Sequence, residues 1–337
     1  MSLTARQWLE KIHALKRSGA KREDRVKIMN VCGGHERSIT MAGLRKALPD
    51  YIELVPGPGC PVCVCPEEDV FEAIQLALNE DIILLAFGDM LRVPVNVPRA
   101  QARTLEQAKA QGADIRPIAS PTEAVAIAKQ NPDTAVVFFA AGFETTTAPV
   151  AAMMVEGVPD TLSLFLSGRL PGPPVAVVCD SGTPGFDALI APGHVSTIMG
   201  PEEWEFVVEK HHIPAAVAGF QPDSLLAAMY STLRQLNDER YFLDNCYPSL
   251  VKPGGNRSAQ AQVNKAMDVY DANWRGVGII PGSGYILNEQ YSSHDARNQF
   301  PSYADDARKR AGQMPPGCDC AQVVLGKIYP NECKLFG

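Results

Sequence analysis

Short, almost wholly apolar runs alternate along the chain with longer segments whose apolar residues recur at helical spacing. The runs VKIMNV (26–31), IELV (52–55), IILLAF (82–87) and DIRPIA (114–119) predict four strands. AVVFFAA (135–141), LSLFLS (162–167), FDALIA (186–191) and PAAVAG (214–219) predict four more. Between them EEDVFEAIQLALNE (67–80), PTEAVAIAKQ (121–130) and PEEWEFVVEK (201–210) read as helices. This rhythm predicts an α/β fold of parallel sheets flanked by helices. Two sets of four strands suggest two similar-sized domains, 26–130 and 131–238, without a visible sequence repeat. After about residue 238 the rhythm breaks into stretches rich in Pro, Gly and polar residues. Residues 1–25 and 239–337 are therefore expected to form a third, irregular, α-rich domain that carries the C-terminal cysteines.

Placed on that map, the unusual residues fall at one kind of position. CGGHE follows the first predicted strand, GPGCPVC the second and FGD the third. GFETTT follows the fifth, APGHVS the seventh and GFQPD the eighth. The C-terminal edge of an open parallel sheet is where ligands bind, beside the helix N-termini. Any one of these motifs can be a plain Gly-containing turn. Six of them carrying Cys, His, Asp and Glu point to a functional edge.

Composition narrows the classes. The 337 residues are 46% hydrophobic and 20% charged with formal net charge −7, and no Lys/Arg-rich run is interleaved with aromatics. Nucleic acid is an unfavoured partner. Trp8, Leu9, Ile12 and Leu15 give the N-terminal segment an amphipathic helical pattern, unlike a signal peptide, and no apolar run approaches the roughly 20 residues of a membrane span. A cytoplasmic protein is expected. Nine cysteines in a reduced compartment point away from structural disulfides. Cys179 and Cys246 stand alone and read as small buried hydrophobes.

The remaining cysteines carry candidate chemistry. Cys32 ends a strand and faces a helix start, where the dipole favours thiolate, and two glycines beside it permit close approach. His35 is a candidate second metal ligand or proton carrier, or a hydrogen-bonded turn histidine. Cys60-Pro61-Val62-Cys63 has the spacing of a dithiol redox pair. Structural zinc is the rival, with Cys65 as a third sulfur, but such sites usually show a second close pair. Glu144 with Thr145, Thr146 and Thr147 offers a carboxylate and hydroxyls at a helix start, where Thr is also a common cap. His194 is a candidate for metal or substrate binding, or a turn residue. Cys318, Cys320 and Cys333 resemble part of an iron–sulfur ligand set, which generally takes four cysteines.

Taken in order, CGGHE, GPGCPVC, FGDMLRVP, KAQGADIRPIASP, GFETTT, APGHVSTIMG, WRGVGII and C-x(12)-CKLFG resemble the HypD family of [NiFe]-hydrogenase maturation proteins over roughly residues 26–337. The resemblance implies two Rossmann-like domains and a cluster-bearing third. It implies a scaffold that holds iron while two cyanides and one carbon monoxide are attached to give Fe(CN)2CO. Its partners would be a HypC-type small chaperone and HypE, the cyanide donor, with the hydrogenase large subunit served indirectly. Cys32 would be the iron ligand and Cys60 with Cys63 the electron-supplying pair. Cys320 and Cys333 match the family's [4Fe-4S] region. Departures from the family pattern are Arg37 in place of a second histidine, the VNVPRAQARTL loop, and Gly168-Arg169 where a histidine is usual. Family chains also continue past the segment matching CKLFG with further cysteines. Two other readings remain open: a stand-alone thiol–disulfide oxidoreductase, and a divergent, non-catalytic partner-binding paralogue.

Overall fold

The computed structural model describes residues 3–15, 25–309 and 314–335. Part of the expected third domain (16–24) and Phe336–Gly337 of the CKLFG motif lie outside the described residues. Among the described residues eleven strands follow in chain order: β1 (Val26–Cys32), β2 (Ile52–Gly59), β3 (Ile82–Phe87), β4 (Ile115–Ile118), β5 (Ala135–Gly142) and β6 (Leu162–Arg169), then β7 (Ala188–Pro192), β8 (Ala215–Ala218), β9 (Leu243–Asn245), β10 (Met267–Trp274) and β11 (Gly278–Leu287). All eight expected strands are present. The fold is α/β with two sheets, both predominantly parallel.

Two compact units result. The first combines residues 1–60, 171–257 and 320–337 around a five-stranded parallel sheet of order β2-β1-β7-β8-β9. Its strands are covered on both faces, which explains their continuous rather than alternating apolar runs. Ile28, Ala188, Ile190 and Ala216 pack with helix residues Ile12, Leu225 and Met229, while Met29, Leu189 and Val217 pack on the other side with Val175 and Trp204. The helix Ala5–Ala14 opens on a capping box between Thr4 and Gln7, and its expected apolar face joins this core through Trp8, Leu9 and Ile12.

The second unit combines residues 61–170 and 258–319. Its sheet runs β10-β11-β6-β5-β3-β4; the last four strands are parallel, and the β10–β11 hairpin adds antiparallel to β6. Strand membership thus departs from the sequential grouping 26–130 and 131–238. β3 and β4 pair with β5 and β6, while β1 and β2 pair with β7 and β8. The expected third region is divided as well. β9 and residues 320–335 belong to the first unit, and β10 and β11 to the second. Interchangeable apolar runs carry no label for their partners, so the period of the pattern finds strands without assigning them. Among the described residues no helix is long and apolar enough to cross a membrane.

Candidate functional site

Renumbered within the first unit, its sheet has the doubly wound order 2-1-3-4-5, and the direction of winding reverses between β1 and β7. Ligands bind at that point, outside the carboxyl ends of the strands. β1 and β7 run in register with Asn30 beside Ile190, and end at Cys32 and Pro192. The crevice is therefore flanked by Cys32 on one side and His194, in the helix Gly193–Met199, on the other.

Cys32 occupies the cap position of the helix Gly33–Met41. Its side chain makes no cap hydrogen bond; burial, the larger effect, and the Glu36 carboxylate push the thiol pKa up, while the nearby backbone N–H groups of His35 and Gly34 pull it down. The empty side of Gly33 admits a neighbour: a Cβ there would lie 3.1 Å from the Cβ of Cys60. Cys60 is joined to Cys63 in a disulfide. Cys63 sits in the short helix Pro61–Val64, closed by Cys65 N–H donating to Pro61 O at 2.9 Å. Cys32 and the Cys60–Cys63 disulfide thus approach because Cys32 pairs, past a register shift after Asn30, with Gly59, the last residue of β2.

His35 is wholly buried, with Nδ1 at 2.8 Å from Asn30 Oδ1 and Nε2 at 3.0 Å from Ala218 O. Both ring nitrogens face oxygen acceptors, which suits a doubly protonated ring, yet burial pulls its pKa down to about 4. The ring clamps β1 to β8. Both ring nitrogens meet oxygens within the fold in this arrangement. His194 has no hydrogen bond at its ring nitrogens among the described residues. Its ring lies 4.1 Å from that of Phe220 and stacks at 20° with Tyr247, and burial lowers its pKa. Phe220 also meets His35 edge-on at 5.3 Å. Phe220 belongs to the GFQPD motif, but Tyr247 and Asn30 were not singled out from sequence; only the two-residue spacing of Asn30 from Cys32 hinted at it.

Glu144 and its threonines lie in the second unit, at the end of β5. Glu144 is wholly buried and starts the helix Glu144–Glu156, with Phe143 rather than a threonine at the cap position. Thr146 lines a cavity of about 670 Å³ with Phe87, Asp89, Ile118 and Glu123, at the C-terminal edge of that sheet. Cys65 is fully buried, 3.5 Å from Ser167 Oγ, and burial pushes its pKa up to about 12. Ser167 donates in turn to Asp69 at 2.5 Å, and Asp69 is held by Arg297 at 2.8 Å and Arg169 at 3.5 Å. Arg169, the departure noted in the sequence, is 2% exposed and also donates to Asn273 O and Gly168 O. It is a buried anchor for the helix that follows the cysteine loop.

Cys179 is a buried thiol with its pKa raised to about 11, and Cys246 is half-buried with a raised pKa; burial is the main cause in both. Cys318, Cys320 and Cys333 are half-buried and outside any disulfide. Cys320 starts the helix Cys320–Val324, and Cys333 follows the turn Pro330–Glu332. Among the described residues no three His, Cys, Asp or Glu side chains are gathered as a metal site. Cys318, Cys320 and Cys333 are three sulfurs where a [4Fe-4S] cluster generally takes four.

These features define an α/β protein with Cys32 and the Cys60–Cys63 disulfide at the edge of a doubly wound sheet. The HypD family, described as "Hydrogenase formation hypA family", matches residues 3–337, and the chain belongs to it. Hydrogenase maturation factor HypD2 of Bradyrhizobium diazoefficiens is 38% identical over 321 residues, covering 92% of this chain and 82% of the relative. Hydrogenase maturation factor HypD of Rhodobacter capsulatus is 38% identical over 327 residues, 95% of this chain and 84% of the relative. HypD of Azotobacter vinelandii is 37% identical over 344 residues, 99% and 87% respectively. Its place is therefore among the proteins of hydrogenase formation and maturation.

Proposed function

We propose that the chain is a scaffold and redox protein of [NiFe]-hydrogenase maturation that holds iron, as cargo, at Cys32 while the Fe(CN)2CO unit is built. A HypC-type chaperone would share the metal, a HypE-type protein would donate cyanide, and the hydrogenase large subunit would receive the product. The observation that carries the reading is the meeting of Cys32 and the Cys60–Cys63 pair at the sheet's switch point. Half-buried and with its pKa raised, the Cys32 thiol loses its proton on meeting a cation, and the nearby N–H groups of His35 and Gly34 favour the thiolate. Reduced, Cys60 and Cys63 can close to the disulfide, releasing two electrons and two protons. Reductive cleavage of a thiocyanate, R–S–CN, takes up two electrons and gives a thiolate and cyanide, so the two half-reactions balance. His35 and Phe220 shape the crevice without contributing a free ligand nitrogen on His35, and His194 is the imidazole positioned to meet a bound group.

The disulfide also favours a second reading, a stand-alone thiol–disulfide oxidoreductase. An infrared spectrum of the anaerobically purified complex with the small chaperone separates the two. Cyanide and carbonyl stretching bands are expected, and Cys32→Ala should abolish them. A featureless spectrum with the chaperone verified as bound, and disulfide turnover that survives Cys32→Ala, would favour the oxidoreductase.

A further inference from the structure

We propose that Cys65 is a positioning residue for the redox pair: its buried thiol hydrogen-bonds to Ser167 and ties the turn that carries Cys63 to strand β6. The inference rests on Cys60 and Cys63 cycling between thiols and disulfide. Cys65 is the third sulfur of the same loop, and it stays outside the disulfide. It is fully buried directly after the helical turn Pro61–Val64, and its N–H closes that turn on Pro61 O at 2.9 Å. Val64 O accepts from the N–H of Arg275, just past β10, at 3.0 Å. The backbone of the turn is held there, and the Cys65 side chain supplies the second hold, with Sγ 3.5 Å from Ser167 Oγ.

Counting protons gives the bond its direction. Ser167 has one hydroxyl proton, and it goes to Asp69 Oδ2 at 2.5 Å. That carboxylate, held by Arg297 at 2.8 Å and Arg169 at 3.5 Å, accepts and does not donate. The hydroxyl oxygen therefore receives, and the Cys65 thiol gives. Burial keeps the proton on sulfur, with the thiol pKa pushed up to about 12. The other acceptor in reach, Pro66 O at 4.0 Å, is farther away. The bonded chain runs from the cysteine loop through β6 to the helix Glu67–Asn79 and, at Arg297, to the helix Ala296–Gln299. A thiol is a weak donor, but here it meets a hydroxyl already fixed by a buried ion pair. Only Val64 separates Cys65 from Cys63, so a shift at one is passed to the other. A reduced pair held near its closed geometry has less freedom to lose when the disulfide forms, which favours the oxidised form.

The test is the equilibrium of the whole metal-free chain with glutathione at neutral pH. Two glutathione thiols supply two electrons and two protons to the disulfide and leave as glutathione disulfide. The reduced fraction is read by alkylation and mass of the peptide that holds Cys60 and Cys63. Cys65→Ala removes the bond and should make the disulfide about tenfold easier to reduce, the order of freeing one backbone residue. For a two-electron couple that is a rise of about 30 mV. Cys65→Ser keeps a donor and should return the equilibrium to that of the parent. Ser167→Ala, with every thiol kept, should match Cys65→Ala, and serves if that variant fails to fold. An unchanged equilibrium in folded Cys65→Ala or Ser167→Ala, or a Cys65→Ser variant that behaves like Cys65→Ala, overturns the inference. A parent disulfide that glutathione neither reduces nor re-forms would overturn the redox reading and this inference with it. Missing infrared bands beside a shifted equilibrium would count against the iron scaffold alone.

Discussion

Gly59 and Gly34 both border the Cys32 crevice, and replacing each with Ala should have unequal consequences. A Cβ at Gly34 would lie 2.8 Å from Cε1 and 3.0 Å from Cζ of Phe220. That ring is half-buried and can swing, so the overpacking should cost about 1–3 kcal/mol, partly offset by roughly 0.4–1 kcal/mol from a stiffer unfolded chain. A Cβ at Gly59 would lie 1.9 Å from the carbonyl oxygen of Val31, 2.7 Å from its carbon and 3.1 Å from Cys32 Cα. Those are backbone atoms of the adjoining strand. Reaching an ordinary contact of 3.4 Å means parting the strand ends by about 1.5 Å, which breaks the last hydrogen bonds of the ladder at roughly 0.5–1.5 kcal/mol each. With the strain added, Gly59→Ala should cost about 3–5 kcal/mol. Urea unfolding, combined with hydrogen exchange of the β1 and β2 peptides to report on this sheet alone, measures both. A Gly59→Ala cost no larger than that of Gly34→Ala would refute the close-approach reasoning.

The second unit offers two further expectations beside the infrared experiment. Arg169→Met should destabilise by about 3–5 kcal/mol in urea, because it removes one partner from a buried ion pair; Arg169→Lys should recover little, since one ammonium cannot reach Asp69, Asn273 O and Gly168 O together. A cost under about 1 kcal/mol would mean that Arg297 alone suffices for Asp69. Glu72, 2% exposed, has its pKa raised from 4.5 to about 7, burial outweighing the attraction of Arg297. A raised folded pKa means the fold prefers the protonated acid. Its contribution, roughly 3 kcal/mol, is complete below pH 4.5 and is lost as pH rises to about 7. Glu72→Gln should flatten stability across that window, and an unchanged slope would show that the carboxyl stays ionised.

The sequence by itself determined β1 to β8, because a fully covered parallel strand must be a short apolar run and few other elements look like one; β9 and the β10–β11 hairpin lie in the stretch that reads as irregular. It also determined that Cys32, Cys60, His194 and Phe220 sit just past strand ends, since each motif directly follows such a run. Tertiary structure alone decided which strands pair. β1 recruits β7 from more than 150 residues away, and that pairing creates the switch point flanked by the strand ends that lead to Cys32 and His194. It decided which oxygens meet the nitrogens of His35, one of which belongs to Ala218 on β8. It decided the meaning of Arg169, whose partner Asp69 is 100 residues distant. Periodicity is a local property written residue by residue along the chain. Pairing, hydrogen-bond satisfaction and charge burial are relations between distant segments, and they exist only once the chain has closed on itself.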